Sequence, residues 1–168
     1  MASDAPLIYG EFYLSPSEIT PIIFIGNYMN GAELVLANPR DIRAVLNVST
    51  ERPYAKRPGI NYVEIPFDDG HGIPVKAFTA AMDFLMFQYE LGAKTLVHCA
   101  AGISRSVATT AAFMHLSNMM YFDAALNHIK RRRPIAQPHP DIMTSVRKFL
   151  KIWPYDNSMG EPYRKPKQ

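Results

Sequence analysis

The sequence predicts an α/β fold in which helices flank a central, mostly parallel sheet of about four to five strands. Short β-branched runs alternate along the chain with longer segments that carry the apolar stripe of a helix. Such alternation favours a parallel sheet, because a crossover helix returns the chain to the same sheet edge. The 168 residues, 48% of them hydrophobic, suffice for one core and are too few for two ordinary domains.

Four segments have the composition of short strands. They are the runs IIFIG (22–26), AVLNVS (44–49), NYVEIPF (61–67) and KTLVHC (94–99). The third run places Val63, Ile65 and Phe67 on one face, which is the period of a strand. Between the first two runs, GAELVLANP predicts a short helix that ends at Pro39.

Four longer segments have helical character. Three of them carry one apolar stripe each, and one stripe ends before Pro134. The stripes consist of Phe78, Met82, Leu85, Met86 and Tyr89; of Phe122, Ala125, Leu126 and Ile129; and of Ile142, Val146, Phe149, Leu150 and Trp153. Residues 104–119 are apolar on most sides, so we expect that helix in the middle of the molecule. The basic run KRRR (130–133) lies in the last turn of a helix, where we expect it to cap the helix, with attraction of a substrate phosphate as the alternative.

Composition excludes several classes of protein. A net charge of +3 is too small for a dedicated nucleic-acid binder, and no segment approaches the ~20 apolar residues of a membrane span. The single cysteine cannot form an intrachain disulfide, which suits a reducing compartment. We expect no nucleic-acid or membrane partner and a cytoplasmic location, with the nucleus as the alternative. The sequence leaves the oligomeric state open.

The stretch VHCAAGISRS (97–106) joins a predicted strand to a predicted helix. Ligands of open α/β sheets bind at this edge, and backbone N–H groups at a helix N-terminus form a cradle for anions. Gly102 allows a close backbone approach. The same positive field favours the thiolate of Cys99, a nucleophile that could attack phosphorus. The planar guanidinium of Arg105 can hold two phosphate oxygens.

Three further side chains have predicted supporting roles. The Ser106 hydroxyl can stabilise the sulfur when it departs as a thiolate. His98 precedes the cysteine and faces the other side of the strand, so we expect it to bond loop carbonyls. Thiolate attack expels a poor leaving group that needs a proton, and the loop in IPFDDGHG offers Asp68 and Asp69 for this task.

HCAAGISRS resembles the signature H-C-x-x-G-x-S-R-S of the cysteine-dependent protein phosphatases, and is especially similar to the dual-specificity branch. The resemblance continues through ITPIIFIGNYMNGAE, AVLNVS, YVEIPFDD and IKRRRPIAQPHPDIMTSVRKFL. It therefore covers residues 19–153 as a catalytic domain, with an N-terminal extension at 1–18 and a flexible tail at 154–168. The family tends to have Asn at the position of His139.

The resemblance implies a protein tyrosine phosphatase-like fold and a phosphocysteine intermediate, with no metal or cofactor. It assigns the nucleophile to Cys99 and the general acid, later the base, to Asp69, with Asp68 as the alternative. Phosphate would be held by Arg105 and by the backbone amides of Ala100, Ala101, Gly102, Ile103 and Ser104. The spacings of His71, His98, Cys99 and the two aspartates do not match a zinc site.

The loop side chains bear on the substrate. Related lipid phosphatases place Lys or Arg where this chain has Ala100, Ala101 and Ile103, and related RNA 5′-phosphatases have Asn at Ser104. We therefore expect a phosphoprotein substrate carrying phosphotyrosine and phosphoserine or phosphothreonine. A non-protein phosphate substrate and a phospho-binding scaffold are the alternatives. The sequence does not indicate the physiological target.

Overall fold

A single five-stranded sheet forms the centre of the molecule. The computed structural model describes residues 5–70 and 72–152. The strands, in chain order, are β1 Ser17–Thr20, β2 Ile23–Gly26, β3 Ala44–Asn47, β4 Asn61–Glu64 and β5 Thr95–His98. Their order in the sheet is β1-β2-β5-β3-β4, and only β1 runs antiparallel to its neighbour. The predicted mostly parallel sheet is confirmed, and β5 lies at its middle.

Helices cover both faces of the sheet. They are α1 Ala5–Leu14, α2 Tyr28–Ala32 with a following 3₁₀ turn Glu33–Val35, α3 Val75–Glu90, α4 Arg105–Leu116, α5 Phe122–Arg132 and α6 Pro140–Ile152. Every residue of α4 is buried. Helices α3, α5 and α6 surround it. The expectation that the helix after the cysteine lies in the middle of the molecule is thus confirmed.

The two faces of the sheet bury two separate clusters, because side chains alternate along each strand. Ile25, Leu46 and Val97 belong to the larger cluster, under α3 to α6. Phe24, Val45 and Leu96 face the opposite side, where Leu34 of the 3₁₀ turn covers them. All four residues of β5 are buried. A central strand closed on both faces is a rigid base for the loop that follows it.

The bounds of several predicted elements differ from the observed ones, most clearly for the first helix and for the strand expected over 61–67. The helix expected at 31–39 begins at Tyr28, because Asn27 and Asn30 form a reciprocal cap with two hydrogen bonds of 2.9 Å each. It then tightens into the 3₁₀ turn. The strand expected over 61–67 ends at Glu64. Phe67 is nevertheless buried, near the start of the loop that leaves the sheet.

The N-terminal segment, predicted as an extension over 1–18, contains α1 and the start of the edge strand β1. The side chains of the reciprocal cap hold the end of α1, since Asn27 Nδ2 donates to Tyr13 O (2.8 Å) and Asn30 Nδ2 to Leu14 O (3.3 Å). Trp153 and the tail 154–168 lie outside the described residues. None of the helices in the described part of the chain combines the length and apolar character that a membrane crossing needs.

Candidate active site

The only cysteine lies at the carboxyl end of the central strand. Strand β5 ends at His98 and α4 begins at Arg105, so residues 99–105 form a tight connection, here called the cysteine loop. Cys99 is buried, and its Sγ accepts a hydrogen bond from the Gly102 N–H at 3.3 Å. The Ser106 Oγ lies 3.2 Å from the same sulfur. Both contacts can stabilise negative charge on the sulfur.

The carbonyl groups of the cysteine loop are held from outside the loop. The bonds are Tyr28 N to Ala100 O (3.0 Å), Arg133 Nε to Gly102 O (2.6 Å) and Gln137 N to Ile103 O (2.8 Å). The described peptide bonds are all trans. In a trans peptide the C=O and the next N–H point in opposite directions. The N–H groups that follow these carbonyls therefore point away from the outer donors and form an anion cradle.

Gly102 occupies a position that tolerates no side chain. Its φ is +68°, in the left-handed region that favours glycine. A Cβ atom there would lie 2.5 Å from Gly26 O and 2.5 Å from Arg133 Nη2. The close approach expected from the sequence is therefore a contact of the loop with strand β2 and with Arg133.

The guanidinium of Arg105 lies in a pocket above the loop. Arg105 is buried, and its Nη1 donates to Phe67 O at 3.2 Å. The pocket has a volume of about 330 Å³ and is lined by Cys99, Ala100, Ala101, Ile103, Ser104, Arg105, Asp69, Gln137, Pro138, His139 and Pro140. It can take a phosphate group between the cradle and an acidic side chain.

Of the two neighbouring aspartates, Asp69 lines this pocket and Asp68 does not. Ser104 Oγ donates to Asp69 Oδ1 at 2.7 Å and accepts a bond from the backbone N–H of His139 at 2.8 Å. The cysteine loop is thus hydrogen-bonded to the acidic loop, and both line the same pocket. At the position where the family tends to have Asn, His139 thus contacts Ser104 through its backbone N–H. His71, which follows this loop, lies outside the described residues.

His98 is fully buried behind the loop. Its Nδ1 lies 3.2 Å from Cys99 O and its Nε2 2.7 Å from the Tyr54 hydroxyl. Burial lowers the pKa of His98 to about 4. The neutral ring therefore donates from Nδ1 to the carbonyl and accepts from Tyr54 at Nε2. His98 could be placed from the sequence but Tyr54 could not, since its only signal there is an aromatic residue within the polar segment TERPYAKRPG.

The buried His98 predicts a dependence of stability on pH. In the unfolded chain His98 has its ordinary pKa of 6.5, so it binds a proton as the pH falls below that value. In the folded chain the ring stays neutral down to about pH 4. The free energy of unfolding is therefore unaffected above pH 6.5 and falls by up to about 3 kcal/mol as the pH decreases towards 4. Urea unfolding at pH 7.5, 5.5 and 4.5 measures this loss.

The variant His98→Asn should lose much of this pH dependence, whatever its stability at pH 7.5. The matched control is His139→Asn at the exposed pocket rim, which should retain the dependence of the wild type. If the free energy of unfolding of His98→Asn fell with decreasing pH as steeply as that of the wild type, His98 would not be the group responsible.

Arg133 is a second residue that the sequence analysis missed. Lys130, Arg131 and Arg132 are exposed, whereas Arg133 is fully buried. Besides its bond to Gly102 O, its Nη1 donates to the Ser17 hydroxyl at 3.0 Å. Arg133 is the C-cap residue of α5, where its backbone N–H donates to Ile129 O at 2.7 Å, and its side chain makes a contact with the cysteine loop that the expectation of helix capping did not include. Its position directly before Pro134 is the only local signal.

In the part of the chain that the structure describes, no group of three or more His, Cys, Asp or Glu side chains lies close enough together to hold a metal ion.

Comparison with known proteins identifies the family. The family model described as the dual specificity phosphatase catalytic domain matches residues 23–152. The chain belongs to the dual-specificity phosphatase family. Human dual specificity protein phosphatase 2 is 33% identical over 135 residues, which are 80% of this chain and 43% of the relative. Dual specificity protein phosphatase 1-A of Xenopus laevis is 30% identical, over 80% of this chain and 37% of the relative.

Solved structures show the same fold. The crystal structure of DUSP15 superposes with a TM-score of 0.72 at 27% identity, over 80% of this chain and 86% of that one. Human DUSP28 gives a TM-score of 0.71 at 26% identity, over 80% and 95%. The predicted phosphatase-like fold is thus confirmed. The chain spans less than half the length of these two curated relatives.

Proposed function

We propose that this dual-specificity phosphatase hydrolyses phosphate monoesters on phosphoproteins, at phosphotyrosine and at phosphoserine or phosphothreonine, through a phosphocysteine intermediate. The observation that carries the proposal is that Cys99, Arg105 and Asp69 line one pocket. Residues 19–153 would form the catalytic domain, together with Ser17 and Glu18 of β1, which pair with β2 in the same sheet, and the tail 154–168 would lie outside it.

In the first step the Cys99 thiolate attacks phosphorus. An S–P bond forms while the P–O bond to the substrate breaks, and Asp69 gives its proton to the departing oxygen. Arg105 and the loop N–H groups bind the non-bridging oxygens, where they stabilise the charge of the transition state. The phosphoryl group then resides on the sulfur, and the dephosphorylated substrate leaves.

In the second step water attacks the phosphocysteine. The Asp69 carboxylate takes a proton from the water, an O–P bond forms, and the S–P bond breaks with the electron pair returning to sulfur. The Ser106 hydroxyl, 3.2 Å from the sulfur, donates to the thiolate as it departs. Inorganic phosphate leaves, and the enzyme returns to its starting state without a metal ion.

The preference for protein substrates rests on the side chains that line the pocket. Ala100, Ala101 and Ile103 bring no charge to it, and Arg105 is the one arginine among the described residues that line it. A substrate with several phosphates on one small headgroup would need further cations near the loop. One phosphorylated side chain on a polypeptide needs only the cradle and Arg105.

The substrate experiment measures release of inorganic phosphate in EDTA. The substrates are a peptide with phosphothreonine and phosphotyrosine, vesicles that contain a phosphoinositide, and a 5′-phosphorylated RNA. We expect kcat/KM for the peptide to exceed the other two by at least about tenfold. A higher value for the lipid or RNA would overturn the protein assignment. Tight peptide binding without turnover would favour a scaffold.

Ser104 provides a prediction about the acidic loop. Ser104→Ala removes the 2.7 Å hydrogen bond to Asp69, so the carboxyl group loses its anchor. We expect kcat on phosphothreonine peptides to fall about tenfold. An aryl phosphate whose leaving group needs no proton should be affected less than threefold, roughly. Equal losses on both substrates would mean that the variant damages the cysteine loop instead.

A further inference from the structure

We propose that Arg133 is a positioning residue whose buried charge keeps Cys99 in its thiolate form from behind the cysteine loop. The inference rests on the proposed nucleophilic role of Cys99 and concerns a residue that lies outside the substrate pocket. Arg133 belongs to the turn after α5, and its side chain reaches a loop 31 residues away in sequence.

Hydrogen bonds connect Arg133 to the sulfur through the cysteine loop. Arg133 Nε donates to Gly102 O at 2.6 Å, while the N–H of the same glycine donates to Cys99 Sγ at 3.3 Å. One glycine therefore connects the guanidinium to the sulfur. The bond to Gly102 O also orients the peptide that joins Gly102 to Ile103, so that the Ile103 N–H points to the opposite side. Nη1 fixes the guanidinium to Ser17 on strand β1.

The guanidinium of Arg133 also acts through its buried charge. Arg133 is fully buried, and no carboxylate of the described residues forms an ion pair with it. Its Nη2 has no hydrogen-bond partner there either. A buried cation without a counter-charge is destabilising, so some anion must offset it. The cysteine loop is the part of the molecule to which this side chain is bonded and which carries an anion in the reaction.

The two opposing effects on Arg133 agree with this pairing. Burial lowers the pKa of Arg133 to about 10, while a thiolate at Cys99 and, next, a phenolate at Tyr13 would each act to raise it. The guanidinium is therefore protonated at neutral pH. Because the attraction is mutual, the cation favours the thiolate as much as the thiolate favours the cation. Arg105 faces the phosphate, whereas Arg133 acts on the sulfur before any substrate binds.

The test is alkylation of Cys99 by iodoacetamide, a neutral reagent, at pH 6 and pH 9. For Arg133→Met we expect alkylation about tenfold slower than wild type at pH 6. At pH 9, where an ordinary thiol is largely ionised, the two rates should agree within about twofold. Arg132→Met, at the exposed neighbouring position, should behave as wild type at both values. Alkylation involves no phosphate, so a failure of this inference is separate from a failure of the proposed activity.

Two more variants separate charge from hydrogen bonding. Arg133→Lys retains the charge and should be alkylated at pH 6 within about threefold of wild type, whereas Arg133→Gln retains a donor and should be as slow as Arg133→Met. Circular dichroism and thermal unfolding establish that each variant is folded. If the two neutral variants do not fold, Arg133→Lys decides: a tenfold slower rate at pH 6 overturns the proposal. Wild-type rates in Arg133→Met at pH 6, or a slow rate at both pH values, overturn it as well.

Discussion

Cys99→Ser will release phosphate from a phosphopeptide at least about four orders of magnitude more slowly than the wild type. A serine hydroxyl is almost un-ionised at neutral pH, so it cannot act as the nucleophile that the thiolate provides. The exchange of sulfur for oxygen leaves the cradle and Arg105 in place. The variant should therefore bind a phosphotyrosine peptide while failing to turn it over. Phosphate release and fluorescence anisotropy of a labelled peptide measure the two properties.

A matched control adds the same hydroxyl elsewhere in the loop. Ala101 is exposed in the pocket wall, and its side chain holds no other group, so Ala101→Ser should keep activity within about tenfold of wild type. If Cys99→Ser kept a similar turnover, Cys99 could not be the nucleophile. Loss of both turnover and peptide binding in Cys99→Ser would show that the exchange disturbs the cradle itself.

The elements that the sequence predicts correctly are those whose pattern is local. The stripe in α3 repeats within one helix, and Phe78, Met82 and Leu85 are indeed buried. The cysteine loop is local too, since a strand, a glycine and a helix N-terminus follow each other within ten residues. Tyr89 of the same stripe is partly exposed, and its ring centroid lies 5.7 Å from that of Phe113 in an edge-to-face arrangement.

What the sequence does not reveal depends on contacts between distant residues. The end of α1 is held by Asn27 and Asn30, which are 14 and 16 residues from their partners. Arg133 bonds to Ser17 across 116 positions, so nothing near it in sequence distinguishes it from its exposed neighbours. Tyr54 reaches His98 across 44 positions. Such pairs become visible only once the sheet brings the segments together.

The acid illustrates the same limit within a single dipeptide. Asp68 and Asp69 have the same chemistry and the same loop, so the residues alone leave both open, and the resemblance favours Asp69. The Ser104 hydroxyl, 2.7 Å from Asp69, provides a physical reason for that preference, because it fixes this carboxylate at the pocket that Cys99 also lines. A hydrogen bond between residues 35 positions apart thus distinguishes two aspartates that are adjacent in the sequence.

Asp69→Ala will lower kcat on phosphothreonine peptides by about two to three orders of magnitude. Without the acid the substrate oxygen must leave as an alkoxide, which is the least stable leaving group among the proposed substrates. Phosphotyrosine should suffer less, because a phenol with a pKa near ~10 leaves more easily. An aryl phosphate with a strongly electron-withdrawing ring should lose least. The ratio of kcat between variant and wild type across these three substrates is the measurement.

Asp68→Ala is the matched control, since it removes the same group one residue away. Asp68 is exposed and does not line the pocket, so its variant should keep kcat within about threefold on all three substrates. The reverse ranking, with the leaving-group dependence in Asp68→Ala, would assign the acid to Asp68 and require the loop to shift when substrate binds. An equal loss on every substrate in Asp69→Ala would indicate a collapsed pocket rather than a missing proton. The slope with leaving-group acidity therefore separates proton donation from structural support at this position.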